Sequence, residues 1–223
     1  VSQATYKDYQ RIGFYPSAQL HRIIPNCLNA SFTPDSSSIF LEVLDKTKIP
    51  NFPFLLMVGS ALPRKNRHMG LKLLKLLGKS SGYHLVFAGA PLTIDESSFV
   101  SSNNLDNRFH SIVRPDHSLL NMLYCSAHAL IFPSLSEGFG WPLIEAQACG
   151  CPVIASNTTS IPEVVGIGGL LAHPNDVKEF ANHVKTLEVN DKRRCLIDYG
   201  FANVNRFSVS SVTTSYIDFA LKC

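Results

Sequence analysis

Two stretches of the chain gather residues able to handle a charged, hydroxyl-bearing ligand. The first reads Gly59-Ser60-Ala61-Leu62-Pro63-Arg64-Lys65-Asn66 and sets two cations between an apolar run and a helical pattern. Cations at such a turn, with a helix N-terminus behind them, suit a phosphate or pyrophosphate. The plainer alternative is a solvated basic loop. The second stretch is Pro133-Ser134-Leu135-Ser136-Glu137-Gly138-Phe139-Gly140-Trp141-Pro142-Leu143-Ile144-Glu145-Ala146. Glycines there admit close backbone approach, and free amides at a helix start bind anions. A carboxylate is no ligand for phosphate; it accepts hydrogen bonds from hydroxyls, which sugars supply. Amides for phosphate beside carboxylates for hydroxyls suit a nucleotide sugar. Equally open is that Glu137 and Glu145 only complement the helix dipole.

The elements that must position these residues are legible as alternating patterns. Apolar runs at 54–58, 85–89, 109–113, 129–132, 152–155 and 169–172 read as strands. Helical patterns run over 66–79, 119–127, 142–149, 176–188, 191–205 and 208–221, with a further helix near the start of the chain. Pro142 is well placed at a first helical position. This order predicts an α/β fold: a Rossmann-like parallel sheet with helices on both faces. Such sheets bind ligands at the carboxyl ends of their strands, where both stretches fall. Ser36, Ser37 and Ser38 look like a boundary.

Composition excludes several classes. The chain has 223 residues, enough for one large domain or one domain with attachments. Apolar residues at 45% and charged residues at 17% exclude a disordered chain. No apolar run approaches the ~20 residues of a membrane span. A net charge of +3 is too small to argue for nucleic acid. The six cysteines, Cys27, Cys125, Cys149, Cys151, Cys195 and Cys223, show no CxxC spacing and read as buried free thiols in a reducing compartment. His110, His117 and His128 share no ligand spacing, and no metal site is expected. His117 reads as a surface residue at a helix start. Trp141 could stack on a ligand or pack on neighbouring loops. Asn29-Ala30-Ser31 and Asn157-Thr158-Thr159 match glycosylation acceptors, a short pattern that arises by chance. The chain starts at Val1 in what reads as the middle of a protein, so a fragment is expected.

The ordered set VGSALPRKN, LVFAGAP, FPSLSEGFGWPLIEAQACGCPVIAS and SIPEVVG resembles the C-terminal half of a glycosyltransferase of family 4, with the GT-B fold. Its centre is EGFGWPLIE, two glutamates with seven residues between them. RIIPNCLNASF resembles the interdomain linker, and the first residues the end of the N-terminal domain. The resemblance divides the chain into 1–36 as domain remnant and linker, 37–205 as donor-binding domain, and 206–223 as a helix packing back on the N-terminal domain.

The resemblance implies retaining hexosyl transfer from a nucleotide-diphosphate sugar to a glycan or lipid-linked acceptor, without a bound metal or other cofactor. Arg64, Lys65 and the turn from Gly138 through Phe139 and Gly140 to Trp141 would take the pyrophosphate charge. Glu137 would face the donor sugar and Glu145 the ribose hydroxyls. The loop at Val113, Arg114 and Pro115 would pack on the base. Ser60 stands where the family often has an Arg, which leaves Arg64 to supply that charge. Pro142 lacks an N–H, which leaves Trp141 or Leu143 as the donor there. The EGFGWP and PRKN variants resemble those of bacterial surface-polysaccharide mannosyl- and glycosyltransferases, which brings mannose and a GDP- or UDP-linked donor forward. Cytoplasmic placement, at the inner membrane face for relatives with lipid-linked acceptors, follows from the same resemblance. With the acceptor half outside the chain, nucleotide binding with poor transfer is expected. Two rivals stand: a split nucleotide-binding module that pairs with a separate acceptor subunit, and another GT-B enzyme such as a nucleotide-sugar epimerase.

Overall fold

The structure, a computed structural model, describes residues 2–13, 22–28, 32–34 and 52–221. Six strands, β1 (Phe54–Gly59), β2 (His84–Gly89), β3 (Phe109–Val113), β4 (Ala129–Phe132), β5 (Val153–Ser156) and β6 (Gly169–Ala172), form one sheet. All pairs are parallel, in the order β3-β2-β1-β4-β5-β6. The order reverses between β1 and β4, the switch point where open α/β sheets form a crevice.

The central strands β1, β2, β4 and β5 are mostly apolar because both faces are covered, while the edge strand β3 carries His110 and Ser111 and is partly exposed. Side chains alternate with a period of two. Leu55, Met57, Leu85, Phe87, Ala129 and Ile131 face one core, shared with Leu71 and Leu74 of α2 (Arg67–Leu77) and Phe180 and Val184 of α7 (Val177–Thr186). Leu56, Val86, Leu130, Phe132 and Ala155 face the other. There they meet Leu123 and Tyr124 of α4 (His117–Ser126), Leu143 and Ile144 of α5 (Trp141–Ala148) and Val164 of α6 (Ile161–Val165). The chain ends in α8 (Asn190–Val204) and α9 (Val209–Ala220). On α9, Val212 is buried while Val209, Tyr216 and Ile217 are exposed.

Helix α3 (Ile94–Ser102) is absent from the sequence expectation. Its apolar stripe is weak, but a capping box marks its start. Thr93 Oγ1 accepts from the Glu96 amide at 3.2 Å, and the Thr93 amide donates to Glu96 Oε2 at 2.8 Å. Glu96 also meets the buried Arg67 at 3.0 Å. Arg67 then donates to the carbonyls of Ala90 and Pro91, each at 3.2 Å, and so pins the loop after β2. Strand β5 and helix α5 each sit one residue from their expected starts.

Helix α1 (Gln3–Arg11) docks on the sheet's carboxyl edge. The Gln3 amide donates to both oxygens of Glu163, at 3.1 and 2.9 Å. Ser36–Ser38, the boundary expected after residue 36, the Asn29-Ala30-Ser31 tripeptide and Cys223 lie outside the described residues. Cys149 and Cys151 are buried free thiols, Cys27 and Cys125 are half-buried, and Cys195 is exposed. Burial pushes the Cys151 thiol up to about 12, which keeps it unreactive. Among the described residues no helix is long and apolar enough to cross a membrane.

Candidate functional site

The switch-point crevice is built from the loops that follow β1 and β4. After β1, Leu62 and Pro63 turn the chain into a short 3-10 segment, so Arg64 and Lys65 stand ahead of α2. Asn66 then adopts a left-handed conformation, φ 51°, which Asn tolerates better than most residues. Its side-chain amide donates to the carbonyls of Pro133 at 3.1 Å and Pro174 at 2.9 Å, joining three strand-end loops. The Leu135 amide donates to Arg64 O at 2.7 Å. The two loops therefore form one rim.

Glu137 is the hub of that rim. Arg64 Nη1 donates to its Oε2 and Lys65 Nζ to its Oε1, both at 2.6 Å. The Glu137 side chain is 6% exposed, Lys65 13% and Arg64 45%, so the carboxylate and the lysine are sheltered and the arginine reaches solvent. Lys65 Nζ also lies 5.1 Å over the Phe132 ring. Among the described residues, no hydrogen-bond acceptor meets the amides of Gly138, Phe139 and Gly140. Two cations and these unbonded amides lie on one loop pair at the start of a helix, residue types that suit a di-anion.

The turn itself is braced from below. Gly140 takes φ 102° as the helix cap, and a Cβ there would come within 2.8 Å of Leu143 Cδ1. Phe139 is buried edge-on against Phe207, and Trp141 packs edge-on to Phe139 at 5.5 Å while staying 39% exposed. Trp141 thus packs on a neighbouring ring and keeps an open face. Leu143 is fully buried, and its amide donates to Gly140 O at 3.0 Å. Leu143 therefore backs the turn, and its amide is not free for a ligand.

The residues that hold this turn escaped the sequence reading. The hydroxyl run after β5 does most of it. Thr159 Oγ1 accepts from the Glu137 amide at 3.0 Å. Ser160 Oγ donates to the carbonyls of Glu137 and Phe139, at 2.8 and 3.1 Å. Thr158 Oγ1 and Ser156 Oγ both reach Ser134 O. Thr159 itself sits at φ 50°, a strained conformation for a β-branched residue. From α1, Ser2 and Thr5 donate to Gly138 O at 2.9 and 3.1 Å. The run Ser156-Asn157-Thr158-Thr159-Ser160 at a strand's carboxyl end was the available signal.

Glu145 lies one turn further along α5, half-buried, with Oε2 accepting from the Tyr124 hydroxyl at 2.9 Å. Burial pushes its carboxyl up; the Tyr124 hydrogen bond and the charge of His117 act the other way. His117 is the exposed first residue of α4. Ser60 follows β1 on the same rim, half-buried. Val113 and Arg114 stand two strands away, at the end of β3, both exposed. Arg114 holds φ 51° and donates its amide to Gly89 O at 2.9 Å. The structure therefore joins Arg64, Lys65, Glu137 and the Gly138–Gly140 turn directly and sets Glu145 one helical turn away. It leaves the Val113–Arg114 pair on a separate loop.

Residues 42–201 match the family model described as glycosyl transferases group 1. O-antigen chain mannosyltransferase B of Escherichia coli is 32% identical over 225 residues, 98% of this chain and 58% of that protein. O-antigen chain mannosyltransferase RfbU of Salmonella typhimurium is 32% identical over 171 residues, 77% of this chain and 47% of that protein. The chain thus spans about half the length of the curated relatives it matches. A crystal structure of Anabaena HepE in complex with UDP-glucose superposes with a TM-score of 0.86 at 21% identity, covering 100% of this chain and 62% of that one, a likeness of fold. With its switch-point crevice, its Arg64–Glu137–Lys65 hub and a family match over well more than half its length, the chain belongs to the glycosyl transferases group 1 family.

Proposed function

We propose that this crevice binds a nucleotide-diphosphate sugar and that the whole protein transfers its hexose to a glycan or lipid-linked acceptor. The observation that carries the reading is the convergence of Arg64 and Lys65 with the open amides of Gly138–Gly140 around one buried carboxylate. In the ligand-free site that carboxylate pairs with both cations and leaves the cluster with a net positive charge. A diphosphate brings its own negative charge, takes over the cations and amides, and frees Glu137 to accept from sugar hydroxyls. When the sugar leaves, negative charge grows on the departing phosphate, where cations and preorganised amides stabilise it most. No metal ion is needed to carry that charge. Glu145 takes the ribose hydroxyls, and the base packs against Val113, Arg114 and Pro115. The O-antigen mannosyltransferases among the relatives favour mannose as the hexose. UDP-glucose in HepE favours a nucleotide sugar in general. The transfer proceeds with retention, as in family 4.

The test is a transfer assay on the full-length protein with GDP-mannose and UDP-glucose, with the product anomer assigned by NMR. The expected outcome is a product with the donor's anomeric configuration, formed equally well in the presence of EDTA. An inverted product would overturn the stereochemical part of the reading, and EDTA-sensitive turnover the metal-free part.

A further inference from the structure

We infer that Tyr124 is a positioning residue for the nucleotide: it holds one oxygen of Glu145 from the buried side, so that the other faces the crevice as the ribose acceptor. The inference rests on the proposed role of Glu145. Tyr124 is fully buried in the last turn of α4, and Glu145 is its hydrogen-bond partner across the α4–α5 packing, at 2.9 Å. Among the described residues Glu145 Oε1 has no hydrogen bond, so the phenol sorts the two oxygens into an anchored one and a free one.

Towards Glu145 the phenol is the donor. Burial and the adjacent Glu145 charge hold it well above the usual tyrosine range, so it keeps its proton at every working pH. Its ring is fixed as well. Phe32 is 2% exposed and packs edge-on to both Tyr124 and His117, each with ring centroids 5.8 Å apart. Phe32 in turn is followed by Thr33, whose amide donates to Asn121 Oδ1 at 3.0 Å on the same helix. A carboxylate on a free helix surface samples several rotamers. Here the donor, its ring and the segment behind it leave Glu145 one arrangement. Preorganisation of this kind raises the share of binding energy that reaches the ligand.

The experiment compares GDP, UDP or ADP, whichever binds the wild-type chain by calorimetry, with its 2′,3′-dideoxy counterpart. A hydrogen bond to a charged group carries enough energy for the ribo compound to bind roughly 10- to 100-fold tighter. In Tyr124→Phe that ratio is expected to fall to about threefold or less, with dideoxy affinity unchanged, because the diphosphate contacts stay intact. A ratio equal to wild type would overturn the inference. So would an equal loss for both compounds, the mark of a merely structural role. If Glu145→Ala keeps the wild-type ratio, the role of Glu145 itself fails, and the inference with it. A second measurement does not depend on the variant's folding. The Tyr124 hydroxyl proton, followed by NMR in the wild type, is expected to keep its contact with Glu145 on nucleotide binding. Loss of that contact would contradict the inference.

Discussion

Glu137 is sheltered from water, and a buried carboxylate persists only when it is paired and hydrogen-bonded. Arg64 and Lys65 supply that pairing, so the one carboxylate offsets part of their charge before any ligand arrives. On the proposed reading, diphosphate binding is then an exchange of anions. Replacing Glu137 by Gln removes the competitor while keeping the shape. Nucleoside diphosphate affinity is expected to rise about three- to tenfold by calorimetry, since like charges no longer share the site. Transfer by the full-length protein is expected to fall at least about a hundredfold if, as proposed, Glu137 accepts from the sugar hydroxyls. Lys65→Ala acts in the opposite direction on binding. It removes a sheltered charge-assisted donor worth about 1.5–3 kcal/mol, so affinity should fall roughly 10- to 100-fold. Weaker diphosphate binding in Glu137→Gln would contradict the exchange.

At the scale of elements, the loop after β4 is shaped by the loop after β5. Ser160 is fully buried and is the donor to two carbonyls of the Glu137–Phe139 turn. Ser160→Ala leaves those carbonyls with one partner fewer in a dry setting, a loss of about 1–3 kcal/mol. The urea midpoint should fall accordingly, and nucleotide affinity with it, because the open amides lose their aim. Gly140→Ala should cost about 1–3 kcal/mol as well, since φ 102° disfavours any Cβ and Leu143 occupies the space. These dependencies explain what could be read in advance. The strands are legible because they are short, largely apolar runs with punctuation at their ends, β3 being the one that His110 and Ser111 interrupt. Arg64, Lys65 and Glu137 are legible because their charges stand in loops at strand ends, and Glu145 by its place in the helix that follows such a loop. Ser160, Thr159 and Asn66 are not, because a hydroxyl or amide reveals its role only through the carbonyl it meets in space. Helix α3 has too few apolar residues for periodicity, and its capping box alone marks it.

The whole molecule carries a second cluster of polar side chains, at the sheet's opposite end. His128 contacts the Tyr83 hydroxyl at 3.1 Å, and burial, aided by Arg193, pushes its pKa down to about 4. Burial also lowers His84, helped by Arg108, and His110, helped by His84; the two rings share a hydrogen bond of 2.9 Å. Histidines held neutral in the fold contribute stability above their unfolded pKa of about 6.5, and that stability drains away as pH falls towards the folded value. The urea midpoint is therefore expected to drop between pH 7 and pH 4.5, and His128→Gln should flatten that slope. An unchanged slope would place the acid sensitivity elsewhere. This end lies away from the crevice, so nucleotide affinity of His128→Gln at pH 7 should match wild type.

The central claim is that the β1–β4 crevice is a nucleoside diphosphate site, and thermal unfolding with GDP, UDP and ADP tests it most directly. A ligand that binds only the folded chain stabilises it by about 2.7 kcal/mol at a hundred times its dissociation constant. The account predicts a rise in Tm with at least one of the three nucleotides, reduced in Lys65→Ala and in Glu145→Ala. No rise with any of them, or a rise that both variants retain in full, would contradict it.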